Sequence, residues 1–262
     1  MTRVRLDHLL SQRGLFASRS RAAASVLAGE VRLLPGRQRA QKPGQLVPDD
    51  VALVLETGPD FVSRGAIKLG NALDSLALEV RGVRALDVGA STGGFTDCLL
   101  RRGADHVVAL DVAYGELDWG LRQDPRVTVI ERRNARTLAR SELAYQPDLI
   151  VIDVSFISLT KVLPAVLSCA APRFDCLALI KPQFEVGREQ VGKGGVVREP
   201  GLRRQALVEV GRAALRLGVS VLGYASSGLS GRKGNLETFV RLAEPSRGGV
   251  EDLERAAREV EP

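Results

Sequence analysis

The chain is expected to be an α/β protein, a doubly wound and mostly parallel sheet preceded by a small α+β domain. Three observations predict this. From Phe61 onward, short β-rich runs alternate with helical segments; glycine-rich turns follow the strand ends; and basic charge is concentrated at the front. A length of 262 residues suits one medium domain plus a small one. With 45% hydrophobic and 26% charged residues the composition is that of a globular chain, and 27 glycines against 4% aromatics fit tight strand-to-helix turns.

The charge is placed unevenly. Residues 1 to 42 hold nine Lys/Arg (Arg3, Arg5, Arg13, Arg19, Arg21, Arg32, Arg37, Arg39, Lys42) against Asp7 and Glu30, in a chain of net charge +6. The remainder is therefore slightly acidic. This predicts a polyanion-binding head on a nearly neutral body, since phosphate contacts need cations on one surface; a solvated basic face would give the same count. Cys98, Cys169 and Cys176 lack CxxC spacing and the histidines are His8 and His106, so neither a disulfide framework nor a metal site is expected. No apolar leader opens the chain and no run approaches the roughly 18 apolar residues of a membrane span, which predicts a cytoplasmic protein without membrane contact.

In the front segment, "RLDHLLSQRGL" puts Leu6, Leu9 and Leu10 on one helical face and stops at Gly14. Ser18 is placed to cap a second helix with Ala22, Val26 and Leu27 facing inward, Gly29 closing it and Arg19 and Arg21 on its open face. Strands are expected at Val31 to Leu34 and Val47 to Leu55, and the polar "ETGPD" reads as a linker. The resulting boundaries are 1–57 for the first domain, 58–62 for the linker, 63–243 for the second domain and 244–262 for a charged tail holding a short solvated helix. In the second domain, strands are expected at Val83 to Val88, Val107 to Val112, Val127 to Glu131, Leu149 to Asp153, Leu177 to Ile180 and Val219 to Tyr224. Ligands of such a sheet bind beyond the carboxyl ends of the strands.

The first of these strands ends in "ALDVGASTGGF". Asp87 stands at its tip, and Gly89, Ala90, Ser91, Thr92, Gly93, Gly94 and Phe95 form the turn into a helix, against which a ligand can pack. Ser91 occupies the place of the second glycine of G-x-G-x-x-G, so the dinucleotide fingerprint is broken and S-adenosylmethionine fits better. Asp111, followed by Val112, ends the second strand, where a carboxylate can accept hydrogen bonds from ribose hydroxyls. Asn134 and Ala135 are expected beside the adenine; Trp119 could flank the same pocket, but a lone Trp is more often a packing anchor and is expected to be one here.

Asp153 ends an apolar strand, where a carboxylate is costly unless used or paired. The Asp/Asn-Pro-Pro-aromatic pattern of amino-directed methyltransferases lacks its prolines here, and no cysteine sits at a strand end to attack a pyrimidine, which leaves oxygen as the acceptor. Lys181 directly follows the fifth strand; stripped of water beside a second cation, a lysine there can act as a base. Lys68 is the candidate second cation and Glu237 the remaining carboxylate, although each alone reads equally well as a surface charge. The loop Gly187 to Gly195, with Arg188 and Lys193, is placed to close over RNA or to be a mobile surface loop.

Two resemblances add to this. Arg5-Leu6-Asp7, Leu10, Arg13-Gly14-Leu15, Ser18-Arg19, Ala22 and Gly29-x-Val31 resemble the alpha-L RNA-binding motif shared by ribosomal protein S-four, pseudouridine synthases and tyrosyl-tRNA synthetases, with "LPGRQRAQ" in place of the usual Val-Asn-Gly turn. Lys68, Asp153, Lys181 and Glu237 match in order the Lys-Asp-Lys-Glu tetrad of FtsJ/RrmJ-type ribose 2′-O-methyltransferases. The string "SRGAIKL … DVGASTGGFTDCLL … DVSFISL … KPQFEVGREQVGKGGVV … GN.E" is similar to the TlyA (hemolysin A) group, some members of which carry Arg and Trp where this chain has Pro59-Asp60-Phe61.

The resemblance implies a Rossmann-like class I methyltransferase domain using S-adenosylmethionine, without metal, on cytidine riboses of ribosomal RNA (16S, 23S or both). Ribosomal subunits are the implied partner, and the protein is expected to act as a monomer. Lys181 would remove or orient the hydroxyl proton, Asp153 would orient Lys181, Lys68 would hold its ammonium in check and Glu237 would fix the acceptor ribose. Arg3, Arg5, Arg13, Arg19, Arg21, Lys42, Arg64, Arg188 and Lys193 are the candidate RNA contacts. Two rival readings are a membrane-lytic protein, which the hemolysin name suggests, and a non-catalytic RNA-binding factor.

Overall fold

The computed structural model describes residues 3–16, 18–36, 38–55, 61–231 and 233–261; the side chains of Ala24 and Ala28 are not described. Two compact units, Met1–Asp60 and Phe61–Pro262, make up the chain. Residues 58–60 of the expected linker lie outside the described residues.

The first unit runs β1 (Arg3–Arg5), α1 (Leu6–Gln12), α2 (Arg19–Ala28), β2 (Val31–Leu33), β3 (Gln38–Arg39), β4 (Leu46–Pro48) and β5 (Leu53–Leu55). Its strands form an antiparallel β1–β4 pair and a β3–β2–β5 sheet. Leu6, Leu9 and Leu10 from α1 pack on Ala22 and Val26 from α2, with Val31 and Val47. The Ser18 hydroxyl caps α2 by accepting from Arg21 N–H at 3.2 Å, and Gly29 ends it at φ +83°. The single strand expected over 47–55 is broken in two. Pro48 has no N–H for a ladder, and the turn after it closes through Val51 N–H to the Pro48 carbonyl at 3.1 Å.

The second unit contains α3 (Gly65–Ser75), β6 (Arg84–Val88), α4 (Gly94–Arg101), β7 (His106–Leu110), α5 (Trp119–Gln123), β8 (Val127–Ile130), β9 (Leu149–Ile152), α6 (Leu163–Leu167), β10 (Asp175–Ile180), α7 (Pro182–Glu185), α8 (Pro200–Arg216), β11 (Ser220–Ser226), β12 (Thr238–Ala243) and α9 (Leu253–Val260). Its seven strands are ordered β11–β12–β10–β9–β6–β7–β8. The last five in that order are parallel, while β12 runs antiparallel to both β10 and β11. Alternation along β6 feeds two cores. Leu86 and Val88 face one side with Ala206 and Val210 of α8, whereas Ala85 faces the other with Leu69 of α3 and Leu99 of α4. Burial on both faces leaves the strand ends as the place where polar groups can reach a ligand.

Three expectations are corrected here. The sequence pattern does not predict strand β12, because Arg241 interrupts its apolar run; Arg241 is tied to Asp175 of β10 by a 2.8 Å bond from Nε. The tail is no solvated appendage. Ala257 of α9 is fully buried, α9 packs on α8, and Arg203 Nε donates to a buried Glu261 at 2.7 Å. Trp119 is not a packing anchor: it opens α5 and is 72% exposed. At the front of the unit, Val62 N–H donates to Asp97 of α4 at 3.0 Å, and Phe61 lies under the Arg101 guanidinium. Among the described residues no helix is long and apolar enough to cross a membrane and no cluster of potential metal ligands occurs, and the three cysteines are buried and free.

Candidate active site

The turn after β6 is shaped by what surrounds it. Gly89 has φ +84°, and a Cβ there would lie 2.5 Å from the Asp153 carbonyl oxygen, so β6 and β9 approach at a distance only glycine permits. Asp153 N–H donates to the Val88 carbonyl at 2.9 Å and completes that junction. Gly89→Ala is therefore expected to destabilise the protein by more than about 1 kcal/mol and to distort the turn. Calorimetric unfolding beside a cofactor titration checks both effects. Ser91 sits at φ +46°, a conformation costing a non-glycine residue about 1 to 3 kcal/mol, and is held there by its N–H bond to Asp111 Oδ2 at 2.7 Å.

Asp87 is wholly buried at the tip of β6. The Thr96 hydroxyl donates to its Oδ2 at 2.7 Å, while Oδ1 has no hydrogen-bond partner. Burial pushes its carboxyl up to about 7 against the pull of the Thr96 hydroxyl, and the nearby charge of Asp153 and Asp111 adds to the rise. A buried acceptor left open is an invitation to a cationic or donor group. Asp111 accepts from Ser91 and Ala113 N–H, both at 2.7 Å, and each oxygen retains a lone pair for a hydroxyl. Beside it a small hollow is lined by Ala90, Ser91, Ala113, Leu117, Val129 and Glu131, among others. Val112 is 70% exposed. A glycine turn with an open buried carboxylate and a second acid one strand away fits the ammonium and ribose ends of S-adenosylmethionine.

Other expected cofactor contacts include side chains engaged within the protein. The Phe95 side chain is buried and packs on Phe239, with ring centroids 5.8 Å apart, beneath the turn. Asn134 uses its amide oxygen to cap a 3₁₀ turn at Arg136 N–H, 3.0 Å away, and Ala135 is in the core with Val108 and Leu138. Thr92 is exposed, with its carbonyl accepting from Asp118 N–H at 3.2 Å. Glu131, Leu117 and Glu116 line the hollow instead and were missed. The only cue in the sequence was the position of Glu131 directly after a strand.

The four tetrad positions gather at the carboxyl ends of β9 and β10. Lys181 follows β10 and forms an ion pair with Asp153, which follows β9; its Nζ also donates to the Ser155 hydroxyl at 3.0 Å. Lys68, on α3, forms an ion pair with Glu237, which precedes β12. Because Ile180 pairs with Thr238 in antiparallel register, Lys181 and Glu237 occupy the next facing positions, so the two pairs stand side by side. Side-chain exposures of 11% for Lys181, 12% for Lys68 and 4% for Glu237 put these charges largely out of water, where each needs its counter-charge. This changes two expected roles. Lys68 is neutralised by Glu237 and does not present a bare cation to Lys181. Glu237 is bound to Lys68 and enclosed, so it is not open to a ribose.

Sequence reasoning passed over three further features. Phe156 is 91% exposed at φ +64°, with its ring 5.4 Å from Phe184. A bulky aromatic in the left-handed region is strained and kept there for a reason. Its cue was the aromatic of "DVSF", three places after the strand-end acid. Asn235 is 2% exposed and pins the glycine-rich loop, accepting from Val197 N–H at 2.9 Å and donating to the Gly195 carbonyl at 2.8 Å. The third feature is the carboxylate of Glu185, which accepts from the Ser158 hydroxyl and Leu159 N–H.

The candidate RNA contacts divide by what they touch. Arg13 donates to the carbonyls of Asp49 and Val51 at 2.6 and 2.7 Å and so braces the first unit. Arg5 and Arg19 share Asp7, whose carboxyl they hold down at about 2, yet both remain about half exposed. Arg3, Arg21 and Lys42 are exposed with no acidic partner among the described residues. In the second unit Arg64 donates to the Ser230 carbonyl at 3.2 Å, and Arg188 and Lys193 are exposed on the pinned loop.

A seven-stranded sheet with one reversed strand, a glycine turn at the first strand and acids at successive strand ends define a Rossmann-like methyltransferase domain, a class whose methyl donor is of the S-adenosylmethionine type. Within that class the chain belongs to the FtsJ-like methyltransferase family, whose model matches residues 61–244. It is 51% identical over 244 residues to the 16S/23S rRNA (cytidine-2′-O)-methyltransferase TlyA of Mycobacterium tuberculosis, covering 92% of this chain and 90% of that one. It is 38% identical to Hemolysin A of Brachyspira hyodysenteriae, with 89% and 97% covered. A solved structure from Streptococcus thermophilus matches with a TM-score of 0.76 at 38% identity, over 99% of this chain and 96% of that chain.

Proposed function

We propose that this protein transfers a methyl group from S-adenosylmethionine to the 2′-hydroxyl of a cytidine in ribosomal RNA. The observation that carries the reading is the Lys181–Asp153 ion pair, in which the backbone carbonyl of Asp153 lies against Gly89 of the glycine turn. When bound, the cofactor supplies an electrophilic methyl. Asp87 Oδ1 would hold its ammonium, Asp111 its ribose, and Val112 would cover its adenine. A sugar hydroxyl is a weak nucleophile at neutral pH, so aim and proton removal are the protein's two levers. Lys181 reacts in its neutral form, its ammonium proton having first passed to Asp153 and on to solvent. Nζ then takes the hydroxyl proton as the oxygen attacks the methyl, and the ammonium–Asp153 pair is restored. Lys68 and Glu237 form a fixed, charge-balanced wall that keeps water from the lysine. Phe156 offers a bare ring face beside Lys181 on which the acceptor base can stack.

The first unit supplies phosphate contacts through Arg3, Arg21 and Lys42, and Arg64, Arg188 and Lys193 do so near the site. The substrate is a ribosomal subunit, met in the cytoplasm by a single copy of the chain. Charge reversal at Arg21 and Lys42 is expected to weaken subunit binding about tenfold or more and to flatten its salt dependence, leaving cofactor affinity unchanged. Filter binding at several salt concentrations checks this. Incubating purified subunits with labelled cofactor tests the whole reading: label entering RNA supports it, and bound cofactor with no label in either subunit overturns it.

A further inference from the structure

The segment leaving β9 carries Asp153, Ser155 and Phe156 within four residues, and regular structure resumes only at the 3₁₀ turn Leu159–Lys161. Ser155 and Phe156 are exposed, and the backbone at Phe156 is left-handed, so neither burial nor intrinsic preference keeps this stretch in place. The short helix α7 grips it at both ends. Lys181, just before α7, holds Asp153 and the Ser155 hydroxyl. Glu185, the last residue of α7, accepts from the Ser158 hydroxyl at 2.6 Å through Oε2 and from Leu159 N–H at 2.9 Å through Oε1. Between them Phe184 lies against Phe156.

The Glu185 carboxylate is half-buried and has no salt bridge among the described residues. Burial raises its carboxyl above the ordinary range, and the Leu159 N–H and the Ser158 hydroxyl pull against that rise. An apolar side chain would join α7 to the loop without that desolvation. What a carboxylate adds is direction: two donors on consecutive residues fix the loop's position and rotation together.

We propose that Glu185 is a positioning residue: by fixing Ser158 and Leu159 it holds the Ser155–Phe156 turn against Lys181 and so aims Lys181 at the acceptor hydroxyl. This rests on the 2′-O-methyl transfer assigned to the site above. Misplacing a reacting group by an ångström costs about a hundredfold in rate, so a loosened grip acts on the chemical step more than on binding.

The test compares Glu185→Ala and Glu185→Gln with the wild type in the full chain. It reads single-turnover methyl transfer to ribosomal subunits, cofactor affinity by calorimetry, and amide hydrogen exchange over residues 154–160. Glu185→Ala is expected to slow transfer about ten- to a hundredfold, with cofactor affinity within about threefold and faster exchange confined to that segment. Glu185→Gln keeps an oxygen for Leu159 N–H, and the Ser158 hydroxyl can turn to accept from its amide, so this variant recovers most of the rate. A full rate in Glu185→Ala, or equal losses of rate and cofactor affinity, overturns the proposal. Unchanged exchange at 154–160 overturns the grip by itself, whatever the wild type's activity. A wild type that methylates no subunit removes instead the reaction on which the proposal rests.

Discussion

Lys181→Arg is expected to leave the fold and cofactor affinity intact and to reduce methyl transfer by about 10² to 10⁴, or about 3 to 5 kcal/mol at the transition state. Arginine keeps a positive charge beside Asp153 and can preserve the ion pair seen at this position. It cannot release a proton near neutral pH, so the substitution separates the electrostatic role of the lysine from its role as base. Lys181→Ala is the harsher companion. It leaves Asp153, only 25% exposed, without its counter-charge, and is expected to lower both rate and thermal midpoint. Single-turnover transfer beside thermal unfolding checks the pair. If Lys181→Arg turns over at the wild-type rate, Lys181 is a structural cation and some other group takes the proton.

The second large effect belongs to Asp87. Its carboxyl titrates near 7 in the folded chain, far above the usual carboxylate range, chiefly because it is buried. Between about pH 4 and pH 7 the folded state therefore holds a proton that the unfolded state has lost, so this group's contribution to stability falls as pH rises through that window. A cationic ligand reverses the preference, since it binds the ionised form better. Cofactor affinity is expected to fall about tenfold for each pH unit below 7, because a proton must first leave Asp87. Asp87→Asn is expected to bind weakly at every pH and to lose that dependence. Calorimetry from pH 5.5 to 8 checks the slope; a wild-type affinity flat across the range would mean that Asp87 does not face the ammonium.

Much of the sheet was legible because its central strands are continuous apolar runs, each handed to a loop by an acid or a glycine, as at Asp87, Asp111 and Asp153. Strand β12 was not, since Arg241 breaks its apolar run and its meaning depends on Asp175, 66 residues away. The four tetrad positions were legible through their resemblance to a family motif, and Asp153 beside Lys181 was expected; the pairing of Lys68 with Glu237 was not. Lys181 faces Asp153 because β9 and β10 are parallel neighbours, whereas Glu237 reaches this end of the sheet through the reversed direction of β12, which no local pattern encodes. Trp119 is exposed and the Phe95 side chain is buried for one reason. An aromatic's fate depends on which way its element faces, and α5 turns Trp119 outward whereas α4 turns Phe95 onto Phe239. Glu185 meets its loop only through the packing of α7 on residues 156–159, which no sequence pattern signals, and the cue for Phe156 was no more than an aromatic after the strand-end acid.

The claim on which the rest depends is that the acceptor is a sugar oxygen. Nucleoside mass spectrometry of RNA from subunits treated with the protein and S-adenosylmethionine reads that atom directly. The predicted result is a single new peak, 2′-O-methylcytidine, absent with Lys181→Arg. A methyl group on the base of cytidine, or on any nucleoside with an unmodified ribose, would contradict it.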